Sequence, residues 1–171
     1  MANAVLGGVD ISSYPINKCN RMKFTEFDIS ILPFNKIETT DWHGILKLRS
    51  EIFVLEQACV FVDPDVQDKS SLHLFVKSGH EIVGYARAFK DEIWHIGRII
   101  SDRNHREKGM ASALLNSSIQ HITSKEKDPI IELSAQVYLS DYYTSKSFKP
   151  SGKMYLEDGI PHLRMVYSPN D

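Results

Sequence analysis

The chain has little cysteine. Its two residues, Cys19 and Cys59 among 171, give neither a disulfide framework nor a metal-ligand spacing, which favours a reducing, cytoplasmic setting. No HxH, HxxxH or CxxC pattern joins them to the seven histidines, so no metal is expected. Long apolar runs are missing too. No stretch approaches the roughly 18 residues of a membrane-spanning helix, and the N-terminal stretch lacks the apolar core of a signal peptide. Nor is there a basic excess. Lys and Arg number 20 against 22 Asp and Glu, a net charge of −2, which argues against an electrostatic nucleic-acid binder. Internal repeats, low-complexity segments and any mark of a second domain are also lacking.

What is present is an ordinary globular composition, long enough for one substantial core. Residues 1–22 mix Gly, Ser, Asn and Pro without periodicity and read as a leader or a disordered extension outside the fold. Residues 23–171 then form one domain. A first strand is expected over residues 24–31. Thr39-Thr40-Asp41 offers helix caps, and Trp42, Ile45, Leu46, Ile52 and Phe53 follow at helical spacing, predicting a helix from Asp41 to Gln57. Arg49 and Glu56 fall on that apolar stripe. The loop Asp63–Ser71 is rich in acidic residues; it reads either as solvated or as an attractant for a cationic amine.

Three strands follow, over 72–77, 81–89 and 93–101, joined by short turns as an antiparallel meander. Alternation places Val83, Tyr85, Arg87 and Phe89 on one side. Ala111, Leu115, Ile119 and Ile122 mark a helix ending near 125–128, and Ile130–Ala135 a buried strand. A short helix over 139–145 and strands over 148–155 and 163–167 complete an α+β order. A monomer and a homodimer are both open, the strand near Leu163–Tyr167 being a candidate for pairing across a dimer.

The segment Ile96–Ala111 is the most informative. A β-branched run passes through a polar turn into the basic, glycine-bearing loop Arg106-Glu107-Lys108-Gly109-Met110-Ala111, and then into an amphipathic helix. That order gathers free N–H groups and the positive end of a helix dipole at one point, suited to a phosphate or pyrophosphate.

These residues resemble a GNAT-type N-acetyltransferase, and more narrowly its ElaA-like branch. The loop matches the family's Arg/Gln-x-x-Gly-x-Gly/Ala pattern. Leu48-Arg49 with Ile52–Cys59, then Asp63, Asp65, Asp68 and His73-Leu74, follow the branch in order. So do Ala86-Arg87, Ile96-Gly97-Arg98, Ser134-Ala135-Gln136, Tyr142–Phe148, Asp158–His162 and Met165. The likeness covers about residues 41–167. Two positions depart from it: Glu107 stands where the family often has Gly, and Ser147 holds the Gly place of Tyr-x-x-x-Gly-Phe.

The resemblance implies the GNAT (acyl-CoA N-acyltransferase) fold, a mixed, mostly antiparallel sheet flanked by helices and splayed near Ile99–Ser101, at the family's fourth and fifth strands. It implies direct transfer of acetyl from acetyl-CoA to a primary amine, or a non-catalytic acyl-CoA sensor on the same fold. Backbone N–H groups of Glu107, Lys108, Gly109, Met110, Ala111 and Ser112 are expected at the pyrophosphate, with Arg106 adding charge. Ile99, Ile100 and Ser101 are expected along the pantetheine arm, the Ile99 N–H at the thioester oxygen. Tyr143 matches the family's general acid, the alternative being a packing tyrosine. Glu56, with a pKa raised by its apolar face, is the first candidate base. The alternative is an ion pair from Glu56 to Arg49 or Arg87. Arg49, Gln57, His73, Arg87 and His162 are pocket candidates, and either histidine is open as base, substrate contact or structural residue.

Overall fold

The computed structural model describes residues 22–24 and 27–168. The leader reading of residues 1–21, and Cys19 with it, lie outside the described residues. Met22 itself opens the first strand.

Nine strands among the described residues form one sheet in the order β1-β2-β3-β4-β5-β6-β9-β7, with β8 on β9. β1 (Met22–Phe24) and β2 (Phe27–Pro33) lead into α1 (Thr39–Arg49). β3 (Leu72–Ser78), β4 (Glu81–Lys90) and β5 (Trp94–Ser101) form the meander expected from their short turns. α2 (Met110–Lys125) crosses over to β6 (Ile131–Gln136). α3 (Ser140–Thr144), β7 (Phe148–Pro150), β8 (Tyr155–Glu157) and β9 (Ile160–Tyr167) follow. Every pairing is antiparallel except β5–β6.

Helices cover both faces of the sheet. Met110, Leu114, Leu115, Ile119 and Ile122 of α2 pack with Leu74, Ala86, Trp94, Ile96 and Leu133 on one side. Ile45 and Leu48 of α1, with Ile52, pack with Phe75, Ile82, Tyr85 and Ile100 on the other. Close approach is set by glycine on each face. A Cβ on Gly84 would overlap Met110 Sδ, and one on Gly44 would lie 2.7 Å from Ile82 Cγ1.

Several elements differ from expectation, each for a local reason. The residue preceding α1 is Glu38, without a side-chain cap, so the Thr39-Thr40-Asp41 signal falls inside the helix. Beyond Arg49 the chain winds more widely through Ser50–Glu56, and the Gln57 N–H reaches back to Ile52 O at 3.0 Å. An i→i+5 turn takes up about one more residue than an α-turn. It therefore rotates Glu56 off the Arg49 stripe. Val83 does not share a face with Tyr85: the β3–β4 register shifts there, with Val76 opposite Gly84 and Lys77 opposite Ile82. The extra residue of that bulge turns Val83 to the α2 side. The strand expected over 148–155 is two strands, interrupted at Gly152 with φ +87°. β9 is not an edge, because β6 flanks it on one side and β7 and β8 on the other. Residues 163–167 thus find their strand partners within the chain.

Candidate active site

The site is built where the sheet comes apart. β5 and β6 pair only at Trp94–Ile131 and His95–Glu132; beyond these the two strands separate. On its other side β5 carries a second bulge. Arg87 faces Gly97 and Tyr85 faces Ile100, so Arg98 and Ile99 have no partner in the register on β4. Arg98 sits at φ +53°, a backbone state uncommon without glycine. Ile99 thus stands in a segment that neither neighbouring strand pairs, as the splay near Ile99–Ser101 requires.

The bulge is clamped by charge. Arg98 Nε donates to Asp63 Oδ1 at 3.0 Å, and its guanidinium lies over Phe53 and Phe61 at 5.4 and 5.5 Å. Arg49 Nε reaches the other oxygen of Asp63 at 2.6 Å, and its Nη1 reaches Asp68 Oδ1 at 2.8 Å. Arg87 donates to Asp65 Oδ1 and Oδ2 at 2.5 and 2.9 Å and to Asp68 Oδ1 at 2.6 Å. Burial works against the Asp68 carboxylate, yet Arg49 and Arg87 hold its pKa below the ordinary range. The aspartates of the acidic loop therefore point to the protein, although Pro64, Val66, Lys69 and Ser70 beside them are exposed. These aspartates are the counter-charges of three arginines.

This network also settles two pocket candidates. Arg49 is fully buried under the sheet and does not line the cleft. His73 is equally buried. Its Nε2–H donates to Asp68 O at 2.9 Å, which leaves Nδ1 to accept from Tyr85 Oη at 2.7 Å. Burial pushes its pKa down to about 4. It does not line the cleft.

A cleft of about 520 Å³ runs along β5. Gln57, Arg87, Ile99, Ile100, Ser101, Arg106, Ala111, Tyr143, His162 and Glu56 all line it, so most of the expected site is brought together. At one end lies the N-terminus of α2. Its cap is Gly109, at φ +79° and with no side-chain cap bond, so no side chain competes for the first N–H groups of the helix. Glu107 stands at φ +63° and Ser147 at φ +65°. Both adopt the left-handed backbone that glycine favours, at the two positions where the family pattern carries Gly. The side chain of Met110 is buried against Gly84, and only its backbone is available to a ligand.

Glu56 closes the same end. Its Oε1 lies 2.7 Å from Arg106 Nη1; its Oε2 lies 2.8 Å from Arg106 Nη2 and from Arg103 Nε. Hydrogen bonds from Arg106, then Arg103, hold its pKa down at about 2. The raised pKa expected for Glu56 is thus reversed, and its ion-pair partners are Arg103 and Arg106 instead of Arg49 or Arg87. The wide turn at Ser50–Glu56 is what carries it to them.

Tyr143 is almost buried, its ring edge-on to Tyr142 and Phe148. Burial raises its pKa well above the ordinary phenol value, so the O–H stays protonated. Tyr142 Oη pairs with Ser112 Oγ at 3.0 Å instead. His162 is 8% exposed. Its Nδ1–H donates to Ile160 O at 2.9 Å, which leaves Nε2 without a partner among the described residues. The floor and far wall hold residues that the motif reading did not single out as site residues: His95 and Gly97 on β5, and across from them Glu132, Glu157 and Asp158. The last two belong to a tight hairpin, Asp158 and Gly159 both at positive φ between Glu157 and Ile160. An Asp-Gly pair between short apolar runs is the sequence signal for such a turn.

Comparison with known proteins agrees with this geometry. Residues 56–169 match the acetyltransferase (GNAT) domain model. Protein ElaA of Escherichia coli is 31% identical over 141 residues, spanning 79% of this chain and 92% of its own. A UPF0039 protein of Synechocystis is 32% identical over 139 residues, 78% of this chain and 90% of its own. An acyl-CoA N-acyltransferase of Pseudomonas aeruginosa superposes with a TM-score of 0.79 at 28% identity, over 83% of this chain and 99% of that one. The crystal structure of E. coli ElaA gives 0.78 at 28% identity with the same coverage. With the splayed sheet, the bulge and the uncapped helix in place, the chain belongs to the GNAT acetyltransferase family.

Proposed function

We propose that this acetyltransferase moves acetyl from acetyl-CoA directly to a primary amine, without an acyl-enzyme. The observation that carries this reading is the meeting, in one cleft, of the uncapped α2 N-terminus, the unpaired Ile99 segment and the protonated Tyr143. Glu107, Lys108, Gly109, Met110, Ala111 and Ser112 offer backbone N–H groups to the pyrophosphate, where the helix dipole adds favourable charge. Ile99, Ile100 and Ser101 supply main-chain partners for the pantetheine arm. The Ile99 N–H donates to the thioester oxygen as charge develops there, a contribution of roughly 3–4 kcal/mol in other acyl-transfer enzymes. Tyr143 offers its O–H to the departing sulfur.

The base is His162. His73 is sealed under the sheet, and Glu56 is tied to two arginines at a pKa of about 2. Of the three, His162 alone lines the cleft with a titratable atom, Nε2, that has no partner among the described residues, its Nδ1–H being held by Ile160 O. Calorimetry with acetyl-CoA, followed by thiol-release rates over a panel of primary amines, tests the reading. Micromolar binding is expected. Tyr143→Phe is expected to keep it while losing about 100-fold in kcat. Binding without any turnover in the wild type points to the acyl-CoA sensor instead, and absence of binding at millimolar ligand overturns both.

A further inference from the structure

We propose that the acceptor is an aliphatic amine carrying a second positive charge, read by Glu157 and Asp158 at the β8–β9 turn. This rests on the amine-acetylation reading above and names the substrate class for the same cleft.

The charges around the cleft balance group by group, save at its two ends. Under the floor, Arg49, Arg87 and Arg98 meet Asp63, Asp65 and Asp68, three against three. At the α2 end, Arg103 and Arg106 share the single carboxylate of Glu56, leaving positive charge in excess where an anionic donor is expected. On the far wall, Glu132 is met by Arg164 at 3.2 Å. Glu157 and Asp158 have no cationic partner among the described residues; Glu157 only accepts a hydrogen bond from Ser134 Oγ at 2.7 Å. The cleft is therefore positive at one end and negative at the other. A passage of one sign draws and orients ligands of the opposite sign.

Two further observations point to a ligand in the negative half. His162, more than nine-tenths buried, lines this wall, and its Nε2 has no partner among the described residues. Gly97 lines the floor, and a Cβ on it would meet nothing within 4 Å. The floor beside the unpaired Ile99 segment is thus left open for an acceptor chain. A diamine is complementary to both groups of this half. Its neutral amine presents a proton to His162 Nε2, and its distal ammonium stays at Glu157 and Asp158. The Ser134–Tyr155 bond of 2.5 Å and the Ser134–Glu157 bond tie the hairpin to β6, and the second holds the Glu157 carboxylate in place.

The test uses the full chain and three probes of similar length: cadaverine, pentylamine and δ-aminovalerate. Each is titrated calorimetrically into coenzyme A-saturated protein, and each is assayed for thiol release from acetyl-CoA. Cadaverine is expected to bind about tenfold more tightly than pentylamine, as two exposed carboxylates allow, and δ-aminovalerate is expected to bind weakest. The advantage falls as salt is raised from about 50 to about 500 mM. The double variant Glu157→Gln, Asp158→Asn is expected to bring cadaverine to within about threefold of pentylamine while leaving coenzyme A affinity and pentylamine binding unchanged. Gly97→Val is expected to weaken all three probes without weakening coenzyme A. Equal affinities for the three probes, or an advantage that survives in the double variant, overturns the proposal. The two readings fail separately. Cadaverine-selective binding without thiol release overturns amine acetylation alone, whereas equal turnover of pentylamine and cadaverine overturns the charge reading alone.

Discussion

Two groups of arginine–carboxylate pairs stand within this one domain, and they are built on opposite terms. Beneath the cleft, Arg49 is fully buried and the side chains of Asp63 and Asp68 are 3% and 4% exposed. Charges match in number, and each guanidinium is held by more than one oxygen. At the mouth, Arg103 and Arg106 are 67% and 40% exposed and compete for one carboxylate. Buried charges cannot lose a partner without leaving an uncompensated ion in a poor solvent. Exposed ones can trade a carboxylate for another anion at little cost. The first group fixes the acidic loop and the Arg98 bulge to the sheet; the second is free to meet a ligand.

The strongest way to break this comparison is Asp68→Asn, which removes the carboxylate shared by Arg49 and Arg87. A loss of about 3–5 kcal/mol is expected, seen as a drop of roughly 10 °C in melting temperature. A drop no larger than that of a surface substitution would show that the network is not a matched set.

Acid titration separates the two groups further. His73 has a folded pKa of about 4, below its unfolded value near 6.5. The unfolded chain therefore binds this proton first as pH falls, so stability declines from about pH 6.5 to about pH 4 and no further on its account. The decline amounts to roughly 3 kcal/mol. Glu56, held at about 2, acts only in the window from about 4.3 down to about 2, where its ion pairs are lost. Urea midpoints measured across pH should show the upper slope in the wild type and not in His73→Asn.

The smallest expected effect on stability is at the mouth. Glu56→Gln should change stability by no more than about 0.5 kcal/mol. With Arg106 released, coenzyme A affinity should rise about threefold, an advantage that salt erases. A stability loss like that of Asp68→Asn would place Glu56 in the buried class instead.

Much of the fold can be read along the chain. Strands 72–78, 81–90 and 94–101 and helix 110–125 lie where alternation and helical spacing predict them, because those signals depend only on near neighbours. Arg49 stands out as a charge on an apolar stripe, a sign of burial. Its partners do not stand out, since Asp63 and Asp68 lie 14 and 19 residues away and no local pattern joins them. The loop Arg106–Ala111 and Tyr143 come from motif likeness, and both line or flank the cleft. The far wall was harder to see. Glu132 lies on β6, while Glu157 and Asp158 lie on a hairpin whose Asp-Gly turn signal concerns shape and not chemistry.

The sequence by itself determined the elements, their order, the helix N-terminus opened by Gly109 and the family to which the chain belongs. These follow from spacing, turn residues and contiguous motifs. The tertiary structure alone decided which charges are spent on each other and which stay open. Two bulges and one widened helical turn redirect Val83, Arg98 and Glu56. Each is a backbone irregularity set by packing on both faces of the sheet, which alternation along a single strand or helix does not encode.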